Sequence, residues 1–232
     1  MTDESAVSTA RLPHNVRAGP GTVITGGAPF HRLNSLKDPA VVIGANCTMD
    51  RVHFALGPEG VVEIGDYCCF TSAILLCEQN IRIGNYVVIG WNTTIADTDF
   101  HPLEPAQRIA DAIASSPLGT NRPRPHIEKL PVIIEDDVWI GPNTAILKGV
   151  VIGAGAFIEP GSLVAHDVPP RTRVIGNPAR VVGTVLAKSA DPAQFPETGT
   201  TERSRQMSRS TIRRTSSPRS ALSSFAARWC RE

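Results

Sequence analysis

Among the six histidines of this 232-residue chain, one sits where proton-transfer chemistry is easiest to place. His101 lies in the run Ala96-Asp97-Thr98-Asp99-Phe100-His101-Pro102, an imidazole close behind two carboxylates. An imidazole titrates near about 6.5 and can take a proton from a hydroxyl or amine at neutral pH. Asp99 or Asp97 would fix its tautomer by accepting from the second ring nitrogen. The same run also fits a plain polar insertion carrying an exposed histidine. The other histidines (His14, His31, His53, His126 and His166) read as surface or turn residues. No metal site is expected: His101 and His126 are 25 residues apart, and no third histidine falls where zinc would need a convergent ligand. The five cysteines, Cys47, Cys68, Cys69, Cys77 and Cys230, form an odd set without CxxC spacing. They read as small apolar residues in a reducing compartment, with no disulfide frame. A second chemical feature is cationic. Lys148, Arg171, Arg173 and Arg180 are opposed only by Glu159 and Asp167, a balance suited to phosphate groups.

The elements that must position these groups are written in a six-residue period. Ile134, Ile140, Ile146, Ile152, Ile158 and Val164 fall at strict intervals of six. An earlier run, Ile64, Phe70 and Leu76, resumes after a one-residue slip at Ile83, Ile89 and Ile95, and Ile43 begins a looser turn. Four residues beyond each aliphatic post stands a small or β-branched residue: Cys47, Cys68, Ile74, Val87, Thr93, Val138, Thr144, Val150, Ala156, Ser162 and Val168. A period of six is neither helical nor a simple strand alternation. It suits a short strand and a corner, repeated, with two side chains per unit pointing inward. Three such units make a triangular coil of 18 residues, and coils stack at about 4.8 Å, the strand spacing. The period fails after Ile95, where the next small position is Asp99. A buried unpaired carboxylate is costly, so the chain is expected to leave the coil there and return at Val132–Ile134. The excursion, about 97–131, carries His101, Arg108, Arg122, Arg124 and His126. A long loop inside a solenoid is functional or disordered.

Composition agrees with strands. Valine and isoleucine number 39 against 13 leucines, which excludes a helical bundle. Residues 185–232 hold nine Lys/Arg and four Asp/Glu, so the remaining residues carry 14 basic and 18 acidic groups. The repeat region therefore lacks the basic surplus of a nucleic-acid binder. No apolar run approaches 18 residues, so no membrane span is expected. The polar start, Met1 to Pro20, lacks the apolar middle of a signal peptide, and a cytoplasmic location is expected.

The stretches IGDYCCFTSAI, IGNYVVIGWNTTI, IEDDVWIGPNTAILKGVVIGAGAFIEPGSLV and DVPPRTRVIGNPARVVG resemble the hexapeptide-repeat acyltransferases, and within them the maltose/galactoside O-acetyltransferase-like branch. The resemblance covers about residues 40–183. It implies an all-β fold, a left-handed parallel β-helix, assembled as a homotrimer. It makes His101 the general base for moving an acyl group from acetyl-CoA to a hydroxyl or amine of a sugar-like or small-molecule acceptor. It places the donor in a groove between neighbouring subunits, with contacts at Gly141, Pro142, Pro160, Ala165, His166 and Arg180. Two of these depart from the usual pattern by lacking a backbone N–H, Pro142 and Pro160, and Ala165-His166 stands where Thr-Lys is frequent. Glu78 matches loosely an acidic contact to the acceptor. Trp139 would either shield the subunit interface or lie near the thiol arm. The rivals are a non-catalytic β-helix scaffold and, sharing the same β-helix, a γ-class carbonic anhydrase with three zinc histidines.

The organisation expected is a flexible N-terminus over 1–20, a repeat domain over 21–183 and a basic Ser/Arg-rich disordered tail over 184–232. Truncation after residue 185 should leave turnover of an acyl donor intact, measured by thiol release; loss of activity or of the assembled oligomer would overturn this division.

Overall fold

The computed structural model describes residues 12–119 and 122–185. They form a parallel β-helix with three faces, sheets of six, eight and six strands. The first face stacks Val16–Ala18, Val41–Ile43, Val61–Ile64, Asn80–Ile83, Val132–Ile134 and Val151–Ile152. The second runs from Val23–Thr25 to Phe157–Ile158 and ends in an antiparallel pair, Thr172–Gly176 with Ala179–Thr184. The third runs from Arg32–Leu33 to Leu163–Val164. The all-β solenoid expected from the six-residue period is the fold observed.

Register explains why the period is visible. Each inward aliphatic residue lies directly on its counterpart in the next coil. One column is Ile43, Ile64, Ile83, Ile134 and Ile152. A second runs Ile24, Met49, Phe70, Ile89, Ile140, Ile158 and Val174. The third is Phe54, Leu75, Ile95, Ile146 and Val164. All are buried, and each contributes on the order of 1.5–3 kcal/mol by leaving water. The small posts between them, from Cys47 to Val168, are buried too, Ile74 excepted.

The earlier coils are less regular than the sequence suggests. Leu75, not Leu76, aligns with Ile95, and Ala73 rather than Ile74 is the buried small residue. Leu76 and Ile74 are half-buried on the outer side. The solenoid also begins before residue 21, because Val16–Ala18 pairs with Val41–Ile43. It runs on through Thr184. Residues 1–11 and 186–232 lie outside the described residues, as does the reading of the tail. Cys47, Cys68 and Cys77 are buried free thiols. Cys69 is not among these free thiols, and Cys230 lies outside the described residues. No helix among the described residues is long and apolar enough to cross a membrane.

The corners differ. At one, Asn46, Tyr67, Tyr86 and Asp137 repeat with φ between 56° and 60°. At another, Ser72, Asn92 and Asn143 repeat with φ between 48° and 56°, and the Asn92 amide donates to the Asn143 side-chain oxygen at 2.8 Å. Coils approach closely there: a Cβ on Gly141 would lie 2.6 Å from the Pro160 nitrogen. The third corner, between the third and first faces, has no such uniform turn, and the excursion leaves from it. Far from structureless, the excursion contains helix α1, Pro105–Ala114, and a short 3-10 turn, Pro117–Gly119. Glu104 caps α1, its carboxylate accepting from the Ala106 and Gln107 amides at 2.9 and 2.7 Å. Proline follows at the first helical position, where its missing N–H costs nothing.

Ile140→Ala, at a fully buried post of the regular coils, should lower unfolding free energy by about 2–5 kcal/mol. Ile133→Ala, on the outer side of its strand, should cost under about 1 kcal/mol. Urea denaturation checks both, and equal effects would refute the inward/outward assignment.

Candidate active site

The excursion is tied to the solenoid at its root. Thr98 bridges Lys129 in antiparallel fashion, the Leu130 amide donates to the Asp97 carbonyl at 2.9 Å and the Asp99 amide to the Glu128 carbonyl at 3.3 Å. Asp97 itself is fully buried. Its carboxylate accepts from the backbone amides of Glu78, Gln79 and Asn80 at 2.7–2.8 Å and from the Cys77 thiol at 3.3 Å. Burial, with the Asp97 charge beside it, pushes the Cys77 thiol well above the usual thiol range. Asp97 therefore anchors the corner and does not touch His101.

Beyond this root the chain turns sharply. Phe100 has φ 66°, a conformation rarely taken by a bulky side chain, and the His101 amide donates to the Asp99 carbonyl at 2.8 Å. The His101 ring is brought against α1, where its Nδ1 lies 2.6 Å from Oδ2 of Asp111. Asp111 is the one buried side chain of that helix. Arg124, returning along the excursion, grips the same carboxylate: Nε to Oδ1 at 2.6 Å and a terminal nitrogen to Oδ2 at 3.1 Å. That nitrogen also donates to the Phe100 carbonyl at 2.9 Å. The Arg124 hydrogen bond, opposed by desolvation and aided by His101, lowers the Asp111 carboxyl to about 2. Asp111 is thus ionised at neutral pH and can only accept. Nδ1 of His101 must carry the proton, which leaves the lone pair on Nε2.

His101 lines a cleft of about 610 Å³ at the third corner. Glu78, Lys129, Arg32, Asn34, Cys77 and His126 line it as well. Glu78 lies 3.7 Å from the Lys129 ammonium. Of the residues expected at the site, the structure gathers His101 and Glu78 here. Asp99, expected as the tautomer-fixing partner, is displaced from that role: it points to Lys148, 3.3 Å away, and Asp111 takes its place. The reason is geometric, since the turn at Phe100 swings the ring away from its own segment and onto α1. A Glu-Pro helix start ten residues before the excursion's midpoint was the available signal for that helix, and hence for Asp111 and Arg124.

The expected donor contacts lie elsewhere, and none lines this cleft. Gly141, Pro142 and Pro160 stack at the corner after the second face, where the Pro142 carbonyl accepts the Gly161 amide at 2.9 Å. Ala165 and His166 sit at the third corner just past Leu163–Val164, and exposed Arg180 lies in the terminal antiparallel strand. Lys148 is committed to Glu128 and Asp99, and Arg173 to Glu159. Trp139 is half exposed on the outer side of the second face, stacked 4.3 Å from Phe157. Among the described residues, no three His, Cys, Asp or Glu side chains converge as a metal site.

Comparison with known proteins places these features in company. A family model described as bacterial transferase hexapeptide (six repeats) matches residues 131–166. A galactoside O-acetyltransferase of Lactococcus lactis is 33% identical over 155 residues, covering 66% of this chain and 67% of that protein. A 2,3,4,5-tetrahydropyridine-2,6-dicarboxylate N-acetyltransferase of Clostridium perfringens is 47% identical over 67 residues, 29% of this chain and 28% of its own length. Among solved structures, an N-acyltransferase from Bacillus cereus, in complex with dTDP-4-amino-4,6-dideoxyglucose and coenzyme A, matches with a TM-score of 0.58 over 77% of this chain and 88% of that one. At 20% identity, that likeness is one of fold.

The lowered Asp111 carboxyl stabilises the folded excursion wherever an unfolded aspartate, near about 3.9, is already ionised. That contribution is lost as pH falls from there through about 2. Hydrogen exchange of the α1 amides, corrected for intrinsic rates, should show protection at about pH 5 that fades towards pH 2. Asp111→Asn should already lack it at the higher pH; equal protection in the two proteins would refute the anchoring role.

Proposed function

Since the chain belongs to the hexapeptide-repeat acyltransferases, we propose that it transfers an acetyl group from acetyl-CoA to a hydroxyl or amine of a sugar-like or small-molecule acceptor, with His101 as general base. The observation that carries this reading is the 2.6 Å contact of His101 Nδ1 with an Asp111 carboxylate that Arg124 holds ionised.

The chemistry follows from the tautomer. The acceptor's O–H or N–H faces the lone pair of Nε2, which takes its proton as oxygen or nitrogen attacks the thioester carbonyl. The ring becomes imidazolium, and Asp111 stabilises that charge. The tetrahedral intermediate places its oxyanion against backbone N–H donors. Collapse breaks the carbon–sulfur bond, and the departing thiolate of CoA receives the proton from Nε2. No covalent acyl-enzyme is required. Cys77, the thiol nearest the cleft, is a poor nucleophile because burial and the Asp97 carboxylate keep it protonated. Glu78 is positioned to accept from a second acceptor hydroxyl.

For the donor we assign Gly141, Pro142 and Pro160 at the corner after the second face, Ala165 and His166 at the third corner, and Arg180 in the terminal strand. Pro142 has no amide hydrogen and its carbonyl already serves the next coil, so it offers van der Waals contact to the donor. A homotrimer would bring a neighbour's surface to this side and enclose the groove. A cytoplasmic location suits the acetyl-CoA donor.

His101→Ala should lower kcat at least ~100-fold with acetyl-CoA and a turned-over acceptor. Asp111→Asn and Arg124→Gln should each lower it ~10- to 100-fold, since they misplace the ring or its tautomer. Asp99→Asn should stay within about threefold of the unaltered enzyme. Near-normal turnover by His101→Ala, read as thiol release, would sink the assignment.

A further inference from the structure

The cleft beside His101 has an unbalanced charge. Its lining side chains include three cations, Arg32, Arg124 and Lys129, and one carboxylate, Glu78. Two of the cations are answered within the protein. Arg124 is held by Asp111, and Lys129 lies 3.7 Å from Glu78. Arg32 is not: it is exposed, and no hydrogen bond or ion pair joins its guanidinium to any described residue. The neighbouring Asn34 contributes its amide N–H to the Leu56 carbonyl, while its side chain lines the cleft.

Position makes this cation more than a solvated surface charge. Arg32 belongs to the first strand of the third face, and its register column reads Arg32, Ala55, Leu76, Ala96. Ala96 is the last coil residue before the excursion that carries His101. Three strand spacings therefore separate Arg32 from the root of the base, about 14 Å along the face. Ala55 next to it leaves room on the outer side of the sheet. Arg32 and His101 line the same cleft, so a ligand that presents a hydroxyl or amine to Nε2 of His101 can turn its far end towards Arg32.

We propose that the acceptor is anionic, bearing a phosphate or carboxylate that Arg32 binds while the nucleophile faces His101. The inference rests on the acyl-transfer reading for the place of the acceptor, and it makes Arg32 a determinant of substrate class. A guanidinium offers paired N–H donors to either anion, and a charge-assisted pair of this kind is worth about 1.5–3 kcal/mol, or ~10- to 100-fold in affinity. A neutral sugar gains none of this.

The test is calorimetric titration of the full-length protein, at low salt, with glucose, glucose 6-phosphate and glucuronate as probes. At least one of the two anions should bind ~10-fold or more tightly than glucose, and added salt should erode the difference. Preference for glucose 6-phosphate alone points to a phosphorylated acceptor, and for glucuronate alone to a carboxylated one. Arg32→Gln, at an exposed position, should abolish the preference. Arg17→Gln, on the first face and paired with Asp38, should keep it. Anions that bind no better than glucose, or a preference that survives Arg32→Gln, would overturn the proposal. Because binding is read without turnover, its failure is separable from that of the general-base assignment: His101→Ala should keep the anion preference while losing thiol release.

Discussion

Everything in this molecule depends on one coil lying in register upon the next. The parallel ladders pair Ile134 with Ile152, Ile140 with Ile158 and Ile146 with Val164, so that each inward side chain packs on its counterpart 18 residues away. Such stacking satisfies the strands' backbone groups and fills the interior with aliphatic side chains at close-packed density. A filled prism has no internal space for a ligand, so any chemistry must be built on its outer surface. Two corners are tight repeating turns with positive-φ residues in column. The third can take extra chain without breaking register, and the excursion is inserted there.

Leaving a solenoid exposes backbone groups of the coil beneath, and Asp97 resolves this. Its carboxylate takes three amides of the corner formed by residues 78–80, and would be too costly to bury without them. The excursion then departs from a fixed point, its two ends joined by the Thr98–Lys129 bridge. The left-handed backbone of Phe100 costs about 1–2 kcal/mol. It is tolerated because the bonds on either side of it hold the His101 ring in place. Asp111 and Arg124 complete the arrangement. Arginine keeps the carboxylate ionised, the carboxylate fixes the proton on Nδ1, and the free nitrogen is left for an acceptor.

The parts that repeat were legible in the sequence, and the parts that occur once were not. Ile140 or Val150 could be placed inside because its neighbours six residues away repeat the same demand. Leu75 and Leu76 could not be told apart, because both are apolar and the step from Phe70 to the next inward residue is five residues instead of six. His101 stood out because the period fails just before it and acidic residues flank it. Its true partner did not. Asp111 is ten residues away in sequence, and only a helix folded back on the turn brings it to 2.6 Å.

By itself, then, the sequence determined the solenoid, the corner at which it is interrupted and the histidine beyond that interruption. These follow from periodicity and from burial costs that apply residue by residue. The tertiary structure alone decided which carboxylate orients the imidazole, which one plugs the corner and which arginine is left unpaired in the cleft. Asp97, Asp99 and Asp111 are the same chemical group. What separates their roles is the set of donors that folding brings within hydrogen-bond distance, and that set is a property of the assembled chain.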